Sequence, residues 1–193
     1  TDFSTPRTVL KLDTATGTLS PVAAGKPPIA ADRFVTRQVF YTSRDGTRVP
    51  MHIVHRKDLV LDGQQPTVLY GYGGFNVSLM PTYSAARMAW IEAGGVYAQA
   101  NLRGGGEYGE AWHLAGTRER KQNVFDDFIA AAEFLVQSRY TEPRRLAIRG
   151  GQRVAVRGGD VPDHPALDAV HRGETAVVRD VGRLRRPGRD RAG

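Results

Sequence analysis

The stretch TVLYGYGGFN, residues 67–76, decides the fold. Its first four residues form a short, mostly apolar run, which is typical of a strand buried on both faces of a parallel sheet. The glycines that follow let the backbone turn sharply and approach a ligand closely, although an ordinary tight turn would use them too. The stretch therefore predicts a central strand that ends in a loop at the edge of a sheet.

Two further strands with glycine-rich ends follow along the chain. Residues 96–100 form a strand-like run before NLRGGGEYGE, and residues 146–148 form another before Arg-Gly-Gly. Helix-like segments at 83–93 and 123–138 separate the three strands, and in the second segment the apolar residues recur at helical spacing. This order of strands and helices predicts an α/β fold with a right-handed, doubly wound parallel sheet.

The helix at 123–138 carries polar residues that suit its beginning. Asn123 is expected to cap the first turn, and Asp126 and Asp127 are expected to lie in that turn, where the helix dipole favours negative charge.

The residues before the predicted sheet form a different pattern. Two strand-like runs, 34–43 and 47–56, are joined through Asp45-Gly46, which is a strong signal for a β-hairpin. Residues 8–12 predict one more strand that enters a turn, and the segment from there to about residue 32 is rich in Gly, Pro and Ala, as linkers are.

The three glycine-rich turns are candidates for a functional site because open α/β sheets bind ligands at the carboxyl ends of their strands. A phosphate loop is excluded, since Gly-Lys-Ser/Thr follows none of the turns. The segments LYGYGGFNVSLMPTYS (69–84), GGVYAQANLRGGGEYGEAWH (94–113), KQNVFDDFIAAAEFL (121–135) and YTEPRRLAIRGG (140–151) together resemble the prolyl oligopeptidase family, serine endopeptidases that cleave after proline.

The resemblance is close over residues 34–151 and implies a domain organisation. Residues 1–31 are similar to the last strands of the family's β-propeller, and residues 32–151 to the N-terminal part of an α/β-hydrolase sheet. A protein of this family would be a cytoplasmic, monomeric enzyme that acts on proline-containing oligopeptides without a cofactor. Because the sequence does not begin with Met, an export signal ahead of it stays possible.

Two site residues carry over from the family. By resemblance, the hydroxyl of Tyr72 completes the oxyanion hole, where a phenol donor lowers the barrier by about 3 kcal/mol. Phe75 matches the aromatic residue that lines the proline pocket. Two simpler interpretations stay open, namely that Tyr72 packs at a strand end and that Phe75 belongs to the core. Arg103, Glu107 and Tyr108 match the family and are expected to hold loops.

The position of the nucleophile is occupied by Gln152, whereas the family has Gly-Gly-Ser-Asn-Gly-Gly at this turn. A carboxamide is not a competent nucleophile in acyl transfer. The acid and the histidine follow the serine in chain order in this fold, so they are expected beyond residue 193. The chain as it stands is therefore predicted to be inactive.

Residues 152–193 differ in composition from the rest of the chain, with nine Arg, six acidic residues and no aromatic residue. Two interpretations of the change stay open, a real divergence of the sequence and a shift of reading frame. The frameshift has a specific argument in its favour: the codons AGC AAC GGN for Ser-Asn-Gly, read two nucleotides later, give Gln-Arg, as found here. This tail is therefore expected to be non-homologous and disordered, and the strand at 146–148 is expected to leave one edge of the sheet unpaired.

Other functions receive less support. A pseudo-enzyme that binds peptides without cleaving them stays an alternative. Nucleic-acid binding is suggested by the net charge of +7, but the tail mixes acids with its arginines and has no aromatic side chain for base stacking. His52 and His55 stand three apart on a predicted strand, so they face opposite sides and make a poor metal pair. No apolar run is long enough to span a membrane.

Overall fold

A computed structural model describes residues 2–25 and 29–150, together with the backbone of residues 175–178. Strands β1 (Thr8–Leu12) and β2 (Leu19–Ala24) form a two-stranded antiparallel sheet. The turn between them is closed by Asp13, whose carboxylate accepts hydrogen bonds from the amides of Ala15 and Thr16. The interpretation of the whole segment up to residue 32 as a linker was wrong, because β2 lies within it.

The hairpin predicted from Asp45-Gly46 is confirmed. Strands β3 (Phe34–Thr42) and β4 (Arg48–Arg56) pair antiparallel, and the amide of Ser43 donates to the carbonyl of Thr47 across the turn. Gly46 takes a φ of 86°, a left-handed conformation that glycine adopts without steric cost.

The three central strands are parallel, as predicted. They are β5 (Thr67–Gly71), β6 (Val96–Ala100) and β7 (Leu146–Gly150). Helix α1 (Ala85–Glu92) connects the first two strands, and the short helix α2 (Glu110–Leu114) and the long helix α3 (Gln122–Gln137) connect the last two. The hairpin joins this sheet through β4, which runs antiparallel to β6. The predicted α/β fold is therefore confirmed, whereas the sheet as a whole is mixed and not purely parallel.

Each face of the sheet has its own core. The face toward α3 buries a large cluster that includes Met51, Ile53, Leu69, Phe128, Leu135 and Ile148. The face toward α1 buries a smaller cluster made of Phe3, Phe34, Val54, Met88, Ile91 and Tyr97. His52 and His55 do point to opposite faces, since the ring of His52 lies 5.7 Å from Phe3 and the ring of His55 lies 5.9 Å from Tyr140.

The expected start of the long helix was wrong. Helix α3 begins at Gln122, one residue before the expected cap, because a turn of 3-10 helix at Arg118–Arg120 leads directly into it. The side chain of Asn123 instead donates to the carbonyl of Ala115, 2.8 Å away. Asp127 lies beyond the first turn and is completely buried, so its charge is balanced by a partner side chain and not by the helix dipole.

The edge of β7 is paired, contrary to expectation. Strand β8 (Thr175–Val178) runs antiparallel to β7, with Val178 opposite Leu146. The sequence Thr-Ala-Val-Val is rich in β-branched residues, which favour a strand. The rest of the tail, including Gln152, lies outside the described residues, and its disorder stays a prediction. Within the described ranges, no helix combines the length and the apolar character needed to cross a membrane.

Candidate functional site

Two loops meet at the carboxyl ends of β5 and β6. The tyrosine loop, residues 72–79, follows β5, and the glycine loop, residues 101–109, follows β6. The amide of Asn76 donates to the carbonyl of Gly104 at 3.2 Å, and the amide of Gly106 donates to the carbonyl of Val77 at 3.3 Å. These main-chain bonds hold the two loops against each other, so the conformation of one depends on the other.

Tyr72 and Phe75 lie on the tyrosine loop with different surroundings. Tyr72 is half-buried directly after the last residue of β5. Phe75 is 73% exposed, so the interpretation of this residue as part of the core was wrong. Its backbone is left-handed, with a φ of 52°, and Asn76 follows with a φ of 57°. Such a conformation is unfavourable for a bulky residue, and it turns the ring outward to where a ligand could contact it.

The glycine loop comes so close to the tyrosine loop that no side chain fits between them. Gly104 has a φ of 90°, and a Cβ atom added to it would lie 2.6 Å from the carbonyl oxygen of Gly73. Gly73 is equally confined, because its own added Cβ would lie 2.5 Å from Cγ1 of Val124. The glycines therefore permit a close approach of the two backbones. This close approach is the reason that both loops are rich in glycine.

A buried ion pair anchors the glycine loop to helix α3. The guanidinium of Arg103 donates to the carboxylate of Asp127 through Nη2 at 2.6 Å and through Nε at 2.9 Å. The same guanidinium donates to Asp45 in the hairpin turn through Nη1 at 2.5 Å, and it lowers the pKa of that carboxyl to about 2. Arg103 thus ties the loop to α3 and to the hairpin, in agreement with the expectation that it holds a loop.

The tyrosine loop is fastened at both of its ends by side chains. Lys121 Nζ donates to the carbonyl of Gly73 at 2.9 Å, and burial lowers the pKa of this amine to about 8. At the far end, the Oε1 atom of Glu107 accepts the amide of Leu79 at 2.9 Å. Sequence reasoning assigned Glu107 to loop support but gave no role to Lys121.

Asp127 and Asn101 were also missed as members of the site. A signal for Asp127 was present, since it lies between Val124 and Phe128 on the apolar stripe of α3 and a carboxylate there requires a buried cation. Asn101 carried no such signal, because a polar residue directly after a strand is ordinary.

A cavity of about 590 Å³ lies on the α1 side of the sheet, away from the buried α3 core. The cavity is lined on the sheet by Tyr70, Tyr97 and Gln99 and on helix α1 by Arg87 and Trp90. The guanidinium of Arg87 lies 4.2 Å from the centre of the Tyr97 ring, so a stacked cation occupies one side of the cavity. The loop residues Ser78, Leu79 and Met80 also contribute to the lining.

Comparison with known proteins shows a likeness to one family. A family model described as the prolyl oligopeptidase family matches residues 81–152. The chain is 48% identical to a prolyl endopeptidase of Elizabethkingia meningoseptica over 150 residues, which are 78% of this chain and 21% of the relative. It is 46% identical to a dual function macrocyclase-peptidase of Amanita bisporigera over 153 residues, which are 77% of this chain and 21% of that protein.

Solved structures show the same likeness. One structure from a study of two prolyl endopeptidases matches with a TM-score of 0.75 and 56% identity, covering 79% of this chain and 22% of that one. Prolyl oligopeptidase B of Galerina marginata, bound to a 25mer macrocyclization substrate, matches with a TM-score of 0.74 and 42% identity, covering 78% and 22%. The chain spans about a fifth of the length of the relatives it matches.

Proposed function

Because the resemblance to the prolyl oligopeptidase family is confirmed, we propose that this chain carries the oxyanion-binding side of a serine peptidase site without the nucleophile. The parent enzyme would cleave proline-containing oligopeptides through an acyl-serine, as the resemblance implies. The chain itself would not turn over a peptide, since a carboxamide stands where the serine is expected.

The observation that supports this function best is the register of the central strands. Gly71 at the end of β5 pairs with Gly150 at the end of β7, so the chain leaves both strands at the same level of the sheet. Tyr72 follows the first glycine directly, and Gln152 comes two residues after the second. A nucleophile on the turn after β7 would therefore be a close neighbour of the Tyr72 loop.

The chemistry of the loop fits acyl transfer. When a serine attacks a peptide carbonyl, the carbonyl oxygen gains a negative charge, and a hydrogen-bond donor that is already in place stabilises that charge. The phenol of Tyr72 is such a donor, and it stands on a loop whose two ends are fixed by Lys121 and Glu107. The exposed ring of Phe75 offers an apolar surface for a proline side chain.

A chimeric enzyme would test the assignment. Residues 1–150 of this chain would replace the matching segment of the Elizabethkingia meningoseptica prolyl endopeptidase, which supplies its own serine, acid and histidine. We expect the chimera to cleave a proline-containing peptide and Tyr72→Phe to lower its kcat about 100-fold, since one oxyanion donor is lost. Tyr108→Phe, which alters an exposed tyrosine of the glycine loop, is the matched control and should leave kcat within about twofold. An active chimera whose kcat does not respond to Tyr72→Phe would refute the role of that residue.

A further inference from the structure

We propose that Glu107 is a positioning residue that sets the conformation of the tyrosine loop by holding Leu79. The importance of that loop rests on the proposed function, but the hold itself is a property of this chain and can be measured without any substrate. Glu107 acts through the main chain of Leu79 and through the side chain of Asn101, and it does not touch a reacting atom.

Both polar main-chain groups of Leu79 are fixed by the same small network. Its amide donates to Oε1 of Glu107 at 2.9 Å, and its carbonyl accepts from Nδ2 of Asn101 at 3.0 Å. Asn101 Nδ2 also donates to Oε1 of Glu107 at 3.0 Å, so the three groups form a closed triangle. Oε1 of Glu107 therefore fixes the amide of Leu79 directly and its carbonyl through Asn101, at the point where the loop returns to the sheet.

The triangle is supported by Gln99 and Tyr97, two buried residues of β6. Gln99 Nε2 donates a second hydrogen bond to the carbonyl of Leu79 at 3.2 Å, and the hydroxyl of Tyr97 donates to Oε1 of Gln99 at 3.2 Å. Gln99 and Asn101 are each only 3% exposed. The bonds of this network are costly to break, because each broken bond leaves a desolvated group without a partner. Among the described residues, Oε2 of Glu107 is buried with no hydrogen-bond partner, so Oε1 makes all the hydrogen bonds of this carboxylate.

The glycine loop is shaped around this carboxylate. A Cβ atom at Gly105 would lie 2.2 Å from Oε2 of Glu107, and one at Gly106 would lie 2.6 Å from the carbonyl of Asn76. The Gly-Gly-Gly-Glu sequence thus provides the space in which the glutamate can reach across to Leu79. Arg103 does not share this task, since its guanidinium is turned to Asp127 and Asp45.

The loop whose end is fixed by Glu107 contains two residues with an unfavourable backbone conformation. Phe75 and Asn76 are both left-handed, a backbone conformation that is unfavourable for a bulky residue such as Phe75 and better tolerated by Asn76. A loop free at its far end could relax these two residues to ordinary φ values. The amide of Val77 donates to the carbonyl of Gly74 and closes a turn around these two residues. The bond from Leu79 to Glu107 and the bond from Lys121 to Gly73 fix the ends of the loop, so all three contacts together preserve the outward ring of Phe75.

Glu107→Ala in the full chain tests the proposal by NMR. We expect the amide of Leu79 to exchange with solvent about tenfold faster or more, since its acceptor is removed. The intraresidue HN–Hα NOEs of Phe75 and Asn76, which are strong only while φ is positive, should weaken toward those of an averaged loop. The amides of Leu69 and Ala98 in the central strands should keep their protection.

Two further variants make the result specific. Glu107→Gln keeps an oxygen at the acceptor position and should restore both the protection of Leu79 and the strong intraresidue NOEs of Phe75 and Asn76. Glu110→Gln alters an exposed neighbour and should change neither. Unchanged intraresidue NOEs in Glu107→Ala would overturn the proposal, and so would a uniform loss of protection across the central strands, which would make Glu107 a residue of global stability. If the proposed function is wrong, these NMR results would not reveal it. It would be revealed by the chimeric enzyme, whose kcat would then not respond to Tyr72→Phe.

Discussion

Arg103→Ala is expected to lower the free energy of unfolding by about 3–5 kcal/mol, which is the effect of removing one partner from a buried ion pair. The guanidinium is 4% exposed and Asp127 is fully buried, so the substitution would leave a desolvated carboxylate without its cation. Since domains of this size are stable by only about 5–15 kcal/mol, the variant should unfold at much lower urea concentration or fail to fold.

Arg144→Ala is the matched control for this loss. Arg144 also forms an ion pair, with Glu142 at 2.6 Å, but its side chain is 72% exposed and water replaces the interaction easily. We expect Arg144→Ala to lower the free energy of unfolding by less than about 1 kcal/mol. The double variant Arg103→Met with Asp127→Leu should recover much of the loss, because it leaves no buried charge unpaired: the remaining partner of Arg103, Asp45, is 45% exposed to water. Equal urea midpoints for Arg103→Ala and Arg144→Ala would contradict a structural role for the buried pair.

Gly104→Ala is expected to have the next largest effect, because it combines strain with a collision. The φ of 90° is unfavourable for alanine, and the new Cβ would lie 2.6 Å from the carbonyl oxygen of Gly73. The three atoms nearest to this Cβ, the carbonyl O and C of Gly73 and the carbonyl O of Gly116, all belong to the backbone, so none can rotate away and the backbones must separate. We expect a loss of about 2–4 kcal/mol, the strain and the overpacking taken together.

Gly46→Ala separates the two causes. Gly46 has a φ of 86°, but nothing lies within 4 Å of its added Cβ, so only the strain applies and the cost should be about 1–2 kcal/mol. Urea unfolding of both variants gives the difference, which measures the contact between the loops. A Gly104→Ala variant as stable as Gly46→Ala would mean that the tyrosine and glycine loops are not closely packed.

Local sequence signals predicted the parts of this fold that short-range interactions determine. Asp45-Gly46 marked the hairpin, and the apolar stripe around Phe128 marked the long helix. The same kind of reasoning failed for Asp127, because its position near the start of the helix suggested the dipole while its true partner, Arg103, lies 24 residues earlier. Strand β2 was missed for a related reason, since its pairing with β1 outweighs the poor strand propensity of Pro21 and the alanines.

The candidate site was less accessible to sequence reasoning than the fold. No periodicity distinguishes Tyr72 from a tyrosine that packs at a strand end, and its role comes only from the resemblance to a family. The outward ring of Phe75 depends on a left-handed backbone, which is held by the local bond from Val77 to Gly74 and by the bond from Asn76 to Gly104, which is distant in the sequence. The hold of Glu107 on Leu79 likewise spans 28 residues.

The proposed lack of a nucleophile leads to a single decisive measurement on the purified full chain. The chain is incubated with a proline-containing peptide substrate and, separately, with a fluorophosphonate that labels activated serines. We predict no cleavage and no stoichiometric labelling, and Gln152→Ser alone should not restore activity, because an elbow serine without its histidine is an ordinary alcohol. Cleavage that disappears on labelling of one serine, for example Ser78, would show that this chain has a nucleophile of its own.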